Sequence, residues 1–371
     1  MSPLPMLPPP AALTPLLALD LDAFDRNAAR LHDAIVRRAG KRWRPHAKGL
    51  RAGAAAQALL AVGAHGMTCS TLPEAQALVD AGVGDVLLAN ELAQPAACAW
   101  LAALNRRARV VCAVDAPEHL ALLEAAARGA GLRLPVVVEV DVGLGRCGCT
   151  PGEPALALAR AVAASPALTF EGLCTWEGHA VRIREPEAKT AAVEQALARL
   201  VDTARACAWA GLPARIVSAG GTGDFLQACR VDGVTELQAG GGAYGDLRYA
   251  GEFGAPLEPA LTLWTTVVSR PTPTRIVCDG GFKALAAQPA PVPRGLTGVR
   301  EVRLNAAHTI VELGQAQAAP GIGAALAFDV GNADATVFLH AQLHLHRGEK
   351  WVGAWALGLS AERPPQATAS P

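Results

Sequence analysis

The chain has 371 residues, 51% of them apolar, which is enough to bury a large core in one or two domains. The 33 basic residues balance the 33 acidic ones and the charges are interspersed, so we expect neither a nucleic acid nor a membrane as a partner. No stretch reaches the roughly 18 apolar residues of a membrane span, and nine cysteines without a CxxC pair indicate reduced thiols in a cytoplasmic protein.

The first segment is apolar but rich in proline. Residues 1–13 predict a loosely attached arm, and no basic residue precedes its apolar stretch, which argues against a secretory signal. Residues 16–19 predict a short strand that we expect to pair with a second domain further along the chain. Residues 21–39 carry the apolar spacing of a helix.

From residue 43 the chain alternates between apolar runs and alanine-rich helical segments. Continuous runs such as Val136-Val137-Val138 are typical of parallel strands that are covered on both faces. The predicted strands are 43–48, 66–70, 85–90, 109–114, 134–142, 168–176, 214–218 and 235–239. The predicted helices are 52–62, 73–82, 93–104, 117–128, 153–164, 187–210 and 223–230. This pattern predicts a (β/α)8 barrel over residues 14–250, with a doubly wound open sheet as the alternative.

The pattern changes after residue 250, where glycine and proline cluster between short β-type segments. These segments predict a second, mainly β domain over residues 251–360. Its predicted strands are 261–268, 274–278, 309–313, 335–339 and 351–356. Residues 361–371 predict a frayed tail.

A lysine ends the first predicted barrel strand, in the stretch Arg44-Pro45-His46-Ala47-Lys48. The loops at the carboxyl ends of barrel strands form the site of this architecture, so we expect Lys48 to point into it. A lysine amine in such a place can react with a carbonyl group. The alternative for an isolated pattern of this kind is an ordinary solvated lysine.

A glycine-rich turn follows the seventh predicted strand and precedes a helix. It comprises Ser218 and the run Gly220-Gly221-Thr222-Gly223. Glycine lets backbone N–H groups approach an anion, and the loops after the seventh and eighth strands of such barrels often bind phosphate. No GK[ST] or GxGxxG pattern is present, which excludes a P-loop and a dinucleotide fingerprint. A lysine at one side and a phosphate turn at the other is the layout that pyridoxal phosphate needs, and Arg146 offers a planar cation for its ring or a carboxylate.

These motifs appear in chain order together with further ones. The segment 44–48 is similar to an RPH-x-K motif, and other matching stretches are residues 14–22, Asn90-Glu91, 139–148, the Glu-Gly pair 177–178, 220–223 and Gly242-Ala243-Tyr244. The chain resembles the D-threonine aldolase and D-serine dehydratase family of fold-type III pyridoxal-phosphate enzymes, which share their barrel with alanine racemase.

The resemblance implies a set of site residues and partners. Lys48 would bind the cofactor's aldehyde, and the turn 220–223 with Tyr244 would lie near its phosphate. His46, Arg146, Trp176 and Ser218 stand where cofactor contacts are expected. The resemblance also implies a small amino acid as substrate and a homodimer with its site at the interface.

The departures from the family pattern affect the chemistry. Gly49-Leu50-Arg51 follows the lysine in place of Thr-His-Lys, Trp176 stands where the family has a tyrosine, and Ala243 removes one phosphate hydroxyl. A tryptophan does not exchange a proton as a tyrosine does. His179 is therefore our candidate for the second acid or base, with His308 as the other possibility.

The family also carries a divalent metal in its β domain, on a His-x-Cys or His-x-Asp pair. The corresponding residues here are Asn332 and Asp334. These supply oxygen ligands only, which favours Mg²⁺, Mn²⁺ or Ca²⁺ over zinc. A vacant site remains the alternative.

The resemblance therefore implies a pyridoxal-phosphate-dependent lyase that acts on D-configured β-hydroxy-α-amino acids by retro-aldol cleavage. The first alternative is a dehydratase of D-serine or D-3-hydroxyaspartate. Two further alternatives are an amino-acid racemase and a protein that binds the cofactor without catalysing a reaction.

Overall fold

The computed structural model describes residue 8 and residues 12–358, so the predicted tail 361–371 and most of the predicted arm lie outside the described residues. The chain divides into two compact units. One contains Leu31–Gly240, and the other contains Gly241–Leu357 together with the residues up to Arg30. Within the described residues, no helix is both long and apolar enough to span a membrane.

The described chain opens with strand β1 (Leu16–Asp20) and helix α1 (Leu21–His32), which continues as a π-helical segment to Arg38. The unit Leu31–Gly240 then alternates strands and helices. Its strands are β2 (Arg42–Trp43), β3 (Met67–Cys69), β4 (Asp85–Leu88), β5 (Arg109–Val114), β6 (Leu134–Glu139), β7 (Leu168–Cys174), β8 (Ile216–Ala219) and β9 (Glu236–Leu237). Its further helices are α2 (Gly53–Val62), α3 (Leu72–Asp80), α4 (Pro95–Leu104), α5 (Pro117–Ala130), α6 (Glu153–Ala164), α7 (Gly178–Val181), α8 (Pro186–Trp209) and α9 (Phe225–Ala228).

The eight strands β2 to β9 form one parallel sheet in the order β2-β9-β8-β7-β6-β5-β4-β3. The two edges of this sheet meet, because His46 and Thr68 form a parallel bridge and the Thr68 N–H donates to the Pro45 carbonyl at 2.9 Å. The sheet therefore curls into a barrel of the predicted (β/α)8 type, and the alternative of an open, doubly wound sheet is wrong. The inner core is aliphatic, with Leu87, Val111 and Val137 fully buried.

A charged group is buried at the seam where the barrel closes. The Arg44 side chain is fully buried, and its Nε donates to Glu236 Oε1 on β9 at 2.9 Å. Its other nitrogens contact Asp85 at the start of β4 and His65 just before β3. Burial is the largest influence and would raise the pKa of Glu236, but the charges of Arg44 and Arg42 and the hydrogen bonds from His65 and Arg44 together outweigh it and lower that pKa to about 2.

The other unit is built mainly on antiparallel pairing. Besides β1, its strands are β10 (Leu261–Thr272), β11 (Arg275–Asp279), β12 (Val292–Pro293), β13 (Val299–Leu304), β14 (His308–Leu313), β15 (Ala325–Asp329), β16 (Gln342–Arg347) and β17 (Lys350–Ala356). Strand β1 lies between β10 and β16, parallel to β16, in a sheet with the order β13-β14-β11-β10-β1-β16-β17, and β15 pairs with β10 and β12. Two short helices are α10 (Leu247–Gly251) and α11 (Ala333–Val337).

The predicted strand at 335–339 is wrong, because this segment lies largely within α11. The Asn332 side chain accepts the backbone N–H of Ala335 at 3.2 Å, which caps the helix. The β-branched and aromatic residues of the segment favour a strand. The local cap outweighs that preference.

We predict that Arg44→Met lowers the free energy of unfolding by about 3–5 kcal/mol at neutral pH, because it removes the buried cation that pairs with Glu236 and leaves that carboxylate only its longer contacts. Arg42→Ala is the matched control, since Arg42 approaches the same carboxylate only at 3.5 Å and its side chain is 41% exposed. That change should cost no more than about 1 kcal/mol. Urea unfolding of the two variants and the wild type measures both effects.

The difference in unfolding free energy between the wild type and Arg44→Met should depend on pH. Because the pKa of Glu236 is lowered from 4.5 to about 2 in the folded chain, its ionised form stabilises the fold above pH 4.5 and loses that contribution as the pH falls toward 2. The difference between the wild type and Arg44→Met should therefore narrow over this acidic window. A difference that stays constant would contradict the role given to the buried pair.

Candidate active site

Lys48 lies in a short 3₁₀ turn, Ala47–Gly49, and not at the end of a strand as predicted, because β2 already ends at Trp43. Its Nζ is 5.0 Å from the ring centroid of Trp176, which follows β7. The guanidinium carbon of Arg146, from the loop after β6, is 5.5 Å from the same ring. Two cations from different strand ends thus lie against one indole, as cations do on the electron-rich face of an aromatic ring.

His46 is positioned by the lysine turn itself. Its Nδ1 accepts the backbone N–H of Lys48 at 3.3 Å, and its Nε2 lies 3.4 Å from the Ser70 hydroxyl. Burial, followed by the charges of Lys48 and Arg146, lowers the pKa of His46 well below its ordinary value. We assign a neutral imidazole from this arrangement, with its proton on Nε2.

The glycine turn begins where β8 ends. Ser218 is buried on that strand, and its hydroxyl accepts a hydrogen bond from Gln238 at 3.0 Å. Gly220 has a φ of +73°, a conformation that residues with a side chain rarely adopt. A Cβ added to Gly221 would lie 3.3 Å from Trp176 Nε1. The Trp176 indole therefore reaches from Lys48 to this turn.

Two buried carboxyl groups hold the turn, and neither was among the predicted site residues. Glu177 Oε1 accepts the N–H of Gly220 at 2.9 Å, and Asp224 Oδ1 accepts the N–H of Gly221 at 2.8 Å. The ammonium group of Lys189 on α8 donates to the Gly223 carbonyl. The Glu-Gly pair at 177–178 was visible in the sequence, but nothing in its spacing indicated a partner more than 40 residues away.

A second group of ionisable residues gathers at the ends of β4, β5 and β6. Ligand atoms of Glu91, Asp115 and Cys147 all lie within 4.8 Å of one another. The neighbouring Glu139 is buried, and burial together with the charge of Glu91 raises its pKa to about 8, although Arg146 opposes the shift. Perturbed carboxyl groups of this kind concentrate at functional sites.

His179, Tyr244, Asn332 and Asp334 are the remaining predicted site residues. His179 on α7 is exposed and lies beside the loop after β6, where a Cβ on Gly143 would be 3.1 Å from its Nε2. Tyr244 belongs to the other compact unit, where it is fully buried with its ring 6.0 Å from that of Phe24. Asn332 and Asp334 belong to that unit as well.

The barrel residues fit pyridoxal phosphate. The Lys48 amine and the glycine turn both approach the Trp176 indole, so an amine and an anion-binding turn are gathered at one place. The turn lacks Cβ atoms where an anion would approach, and Arg146 adds positive charge nearby. Fold and site together define a barrel enzyme of the alanine racemase class.

Comparison with known proteins agrees with this class. Residues 19–248 match the family described as alanine racemase, N-terminal domain, and residues 260–346 match a serine dehydratase domain. The chain is 35% identical to a D-threonine aldolase of Arthrobacter sp., over 90% of this chain and 91% of that protein. It is 34% identical to a 3-hydroxy-D-aspartate aldolase of Paracoccus denitrificans, over 81% of this chain and 80% of that protein.

A solved structure is also similar along the whole described chain. The crystal structure of a D-threonine aldolase from Filomicrobium marinum gives a TM-score of 0.89 at 33% identity, covering 94% of this chain and 98% of that one. The chain belongs to the fold-type III pyridoxal-phosphate family that contains the alanine racemase barrel, in its D-threonine aldolase and D-serine dehydratase-like branch.

We predict that Gly221→Ala weakens the binding of pyridoxal phosphate severalfold, because the new Cβ displaces the Trp176 indole from the turn. Gly129→Ala is the control, since it lies on the exposed face of α5 with open space around its Cβ. Helix propensity makes that change neutral or slightly stabilising. Fluorescence titration with the cofactor measures the difference, and equal affinities would contradict the contact between Trp176 and the turn.

Proposed function

We propose that the chain is a pyridoxal-phosphate-dependent lyase that cleaves D-configured β-hydroxy-α-amino acids into glycine and an aldehyde. The arrangement of Lys48, Trp176 and the glycine turn supports the cofactor part of this proposal. The similarity to two aldolases that act on such substrates supports the reaction.

In this proposal each residue at the strand ends has a defined task. Lys48 holds the aldehyde end of the cofactor, and the turn 220–223 holds its phosphate. When bound, the cofactor withdraws electrons from the substrate's α-carbon, which weakens the bonds at that carbon. Arg146 lies near the ring of Trp176 and supplies a planar cation that suits the substrate carboxylate.

Retro-aldol cleavage also needs a base for the proton of the β-hydroxyl group. His179 is our proposed base, because it is exposed on the short helix α7 that follows β7 and lies beside the loop after β6. His46 is a poor base here, since its Nδ1 already accepts the Lys48 N–H. Loss of the β-hydroxyl proton to His179 would let the Cα–Cβ bond break and release the aldehyde. The electron pair left on Cα would then take up a proton from water to give glycine.

Dehydration is the second candidate reaction. The match of residues 260–346 to a serine dehydratase domain favours it. The two reactions share the cofactor and the substrate class, and they differ in the proton that is removed first. Removal of the α-proton, for which the Lys48 amine is suitable, leads to loss of hydroxide and a 2-oxo acid.

A racemase fits the residues less well. It needs a second base opposite the lysine, commonly a tyrosine, and the whole sequence has only two tyrosines. Burial raises the pKa of Tyr244 well above its usual value, so its hydroxyl keeps its proton. A cofactor-binding protein without activity is the remaining alternative, and the product assay below distinguishes it.

We further propose that a divalent cation binds at Asn332 and Asp334. Asp334 has a buried carboxylate oxygen, and its other oxygen lies 3.4 Å from the Tyr249 hydroxyl. The Asn332 oxygen also caps α11, so a cation would share it with the helix. Two oxygen ligands suit Mn²⁺ or Mg²⁺ better than zinc, and no step above depends on this ion.

Two further proposals concern the oligomeric state and the cellular location of the chain. We propose a homodimer, on the basis of the family resemblance, and a cytoplasmic location. All nine cysteines are free, with six of them buried, which supports a reducing compartment. Light scattering of the purified protein tests the dimer.

We predict that the protein loaded with pyridoxal phosphate releases glycine from D-threonine and D-3-hydroxyaspartate, and that Lys48→Ala abolishes this because the cofactor loses its covalent partner. Lys283→Ala is the matched control, since Lys283 is an exposed lysine in the other compact unit. Chromatography of the products measures glycine formation by the wild type and by the two variants. A 2-oxo acid would favour dehydration, the mirror-image amino acid would favour racemisation, and no product from a loaded protein would indicate binding alone.

We predict that Mn²⁺ binds to the wild type and not to Asp334→Asn, which removes the charged ligand. Asp115→Asn is the control, because Asp115 belongs to the other cluster with metal-like spacing, beside Glu91 and Cys147. Electron paramagnetic resonance of added Mn²⁺ counts the bound ions. If only Asp115→Asn lost Mn²⁺ binding, the cation site would be the barrel cluster and not Asn332 and Asp334.

A further inference from the structure

The glycine turn rests on two carboxyl groups that are nearly inaccessible to water. Glu177 has 0% and Asp224 has 1% of its surface exposed. One oxygen of each accepts a backbone N–H of the turn, from Gly220 and from Gly221. The other oxygens, Glu177 Oε2 and Asp224 Oδ2, are buried without a hydrogen-bond donor if both groups are ionised.

The two side chains are close enough to hydrogen-bond to each other. Two carboxylates at that distance would repel, and two buried acceptors without donors would each cost free energy. A single proton resolves both problems, because a neutral Glu177 donates from Oε2 to Asp224 Oδ2. Every polar atom of the pair then has a partner.

Burial, and then the charge of Asp224, raises the pKa of Glu177 well above its usual value. Burial also raises the pKa of Asp224, to about 6, although the hydrogen bond from Glu177 opposes that shift. The proton therefore belongs on Glu177 at neutral pH. Lys189, which lies on α8 and is 5% exposed, offsets the remaining charge of Asp224.

We propose that Glu177 is a neutral acid that shares its proton with Asp224, and that this carboxyl pair positions the turn 220–223 to receive the phosphate. The inference rests on the proposed function for the identity of the anion, but the shared proton is a property of the chain alone. Glu177 and Asp224 are thus positioning residues that act through the backbone of the turn.

The arrangement keeps negative charge low beside the anion site. With the proton in place, the pair carries one negative charge, which Lys189 balances. The other charged groups near the turn are Lys48 and Arg146, which lie across the Trp176 ring. Loss of the proton would add a second buried charge, and it would both strain the turn and repel the phosphate.

The first test needs no cofactor. Infrared difference spectra of the cofactor-free protein at neutral pH, each the wild type minus a variant, isolate the C=O stretching band of the Glu177 acid, because the band of Glu139, whose pKa is also raised, to about 8, is common to all the proteins and cancels. Glu177→Gln should remove one acid band, because its amide replaces the acid. Asp224→Asn should shift that band, because a neutral amide replaces the charged acceptor of the proton. If the difference spectrum of Glu177→Gln contains no acid band, the shared proton is refuted whatever the chain's function is.

The second test measures affinity for the phosphate group. Glu177→Gln keeps both hydrogen bonds, so its affinity for pyridoxal phosphate should stay within about threefold of the wild type, whereas Glu177→Leu should lose about tenfold or more, as expected for unpaired buried groups. Pyridoxal, which lacks the phosphate, should bind all three proteins equally. Equal losses for both ligands, or none for Glu177→Leu, would refute the positioning role. No binding of pyridoxal phosphate by a wild type that shows the acid band would refute the proposed function instead.

The pH dependence provides a third measurement. A raised pKa of Glu177 in the folded chain means that its contribution is complete at low pH and disappears as the pH rises through that value. Wild-type affinity for pyridoxal phosphate should therefore fall at alkaline pH more steeply than that of Glu177→Gln. Identical alkaline profiles would show that the pair does not control the turn, since both proteins share Lys48 and Arg146.

Discussion

The buried Arg44 guanidinium is the interaction on which the barrel depends. It contacts Glu236 on β9, Asp85 on β4 and His65 before β3, so a single side chain joins the segments around the seam. A Cβ on Gly66 would lie 2.8 Å from this guanidinium, so the neighbouring glycine leaves it room. Lys48 lies four residues after Arg44 in the same segment. The position of the lysine therefore depends on an ion pair that is sealed from water.

The residues of the candidate site come from the ends of several barrel strands and not from a single loop. Lys48, Arg146 and Trp176 come from the ends of β2, β6 and β7, and the glycine turn comes from the end of β8. Each element is fixed by hydrogen bonds within the barrel unit. The chemistry can vary by changes at these ends while the barrel remains the same, as is common for this architecture.

The sequence was informative where physical signals were local. Continuous apolar runs predicted the central barrel strands, and glycine spacing predicted the turn at 220–223, but the first barrel strand ends at Trp43 and not at Lys48 as predicted. Contacts between distant residues, and segments with competing local preferences, could not be predicted from the sequence. The pairing of Arg44 with Glu236 joins residues 192 apart, and Glu177 meets Asp224 only because β7 and β8 are neighbours. At 335–339 the strand preference of the residues was overridden by the cap from Asn332.

The position of β1 in its sheet determines when, during synthesis of the chain, this strand can pair with both of its neighbours. Ala18 pairs with His344, so the second strand partner of β1 is synthesised more than 300 residues after it. The barrel segments are all translated before that partner leaves the ribosome. Until β16 is made, β1 lacks the strand that covers this edge in the folded chain, and an uncovered strand edge is a hazard for aggregation.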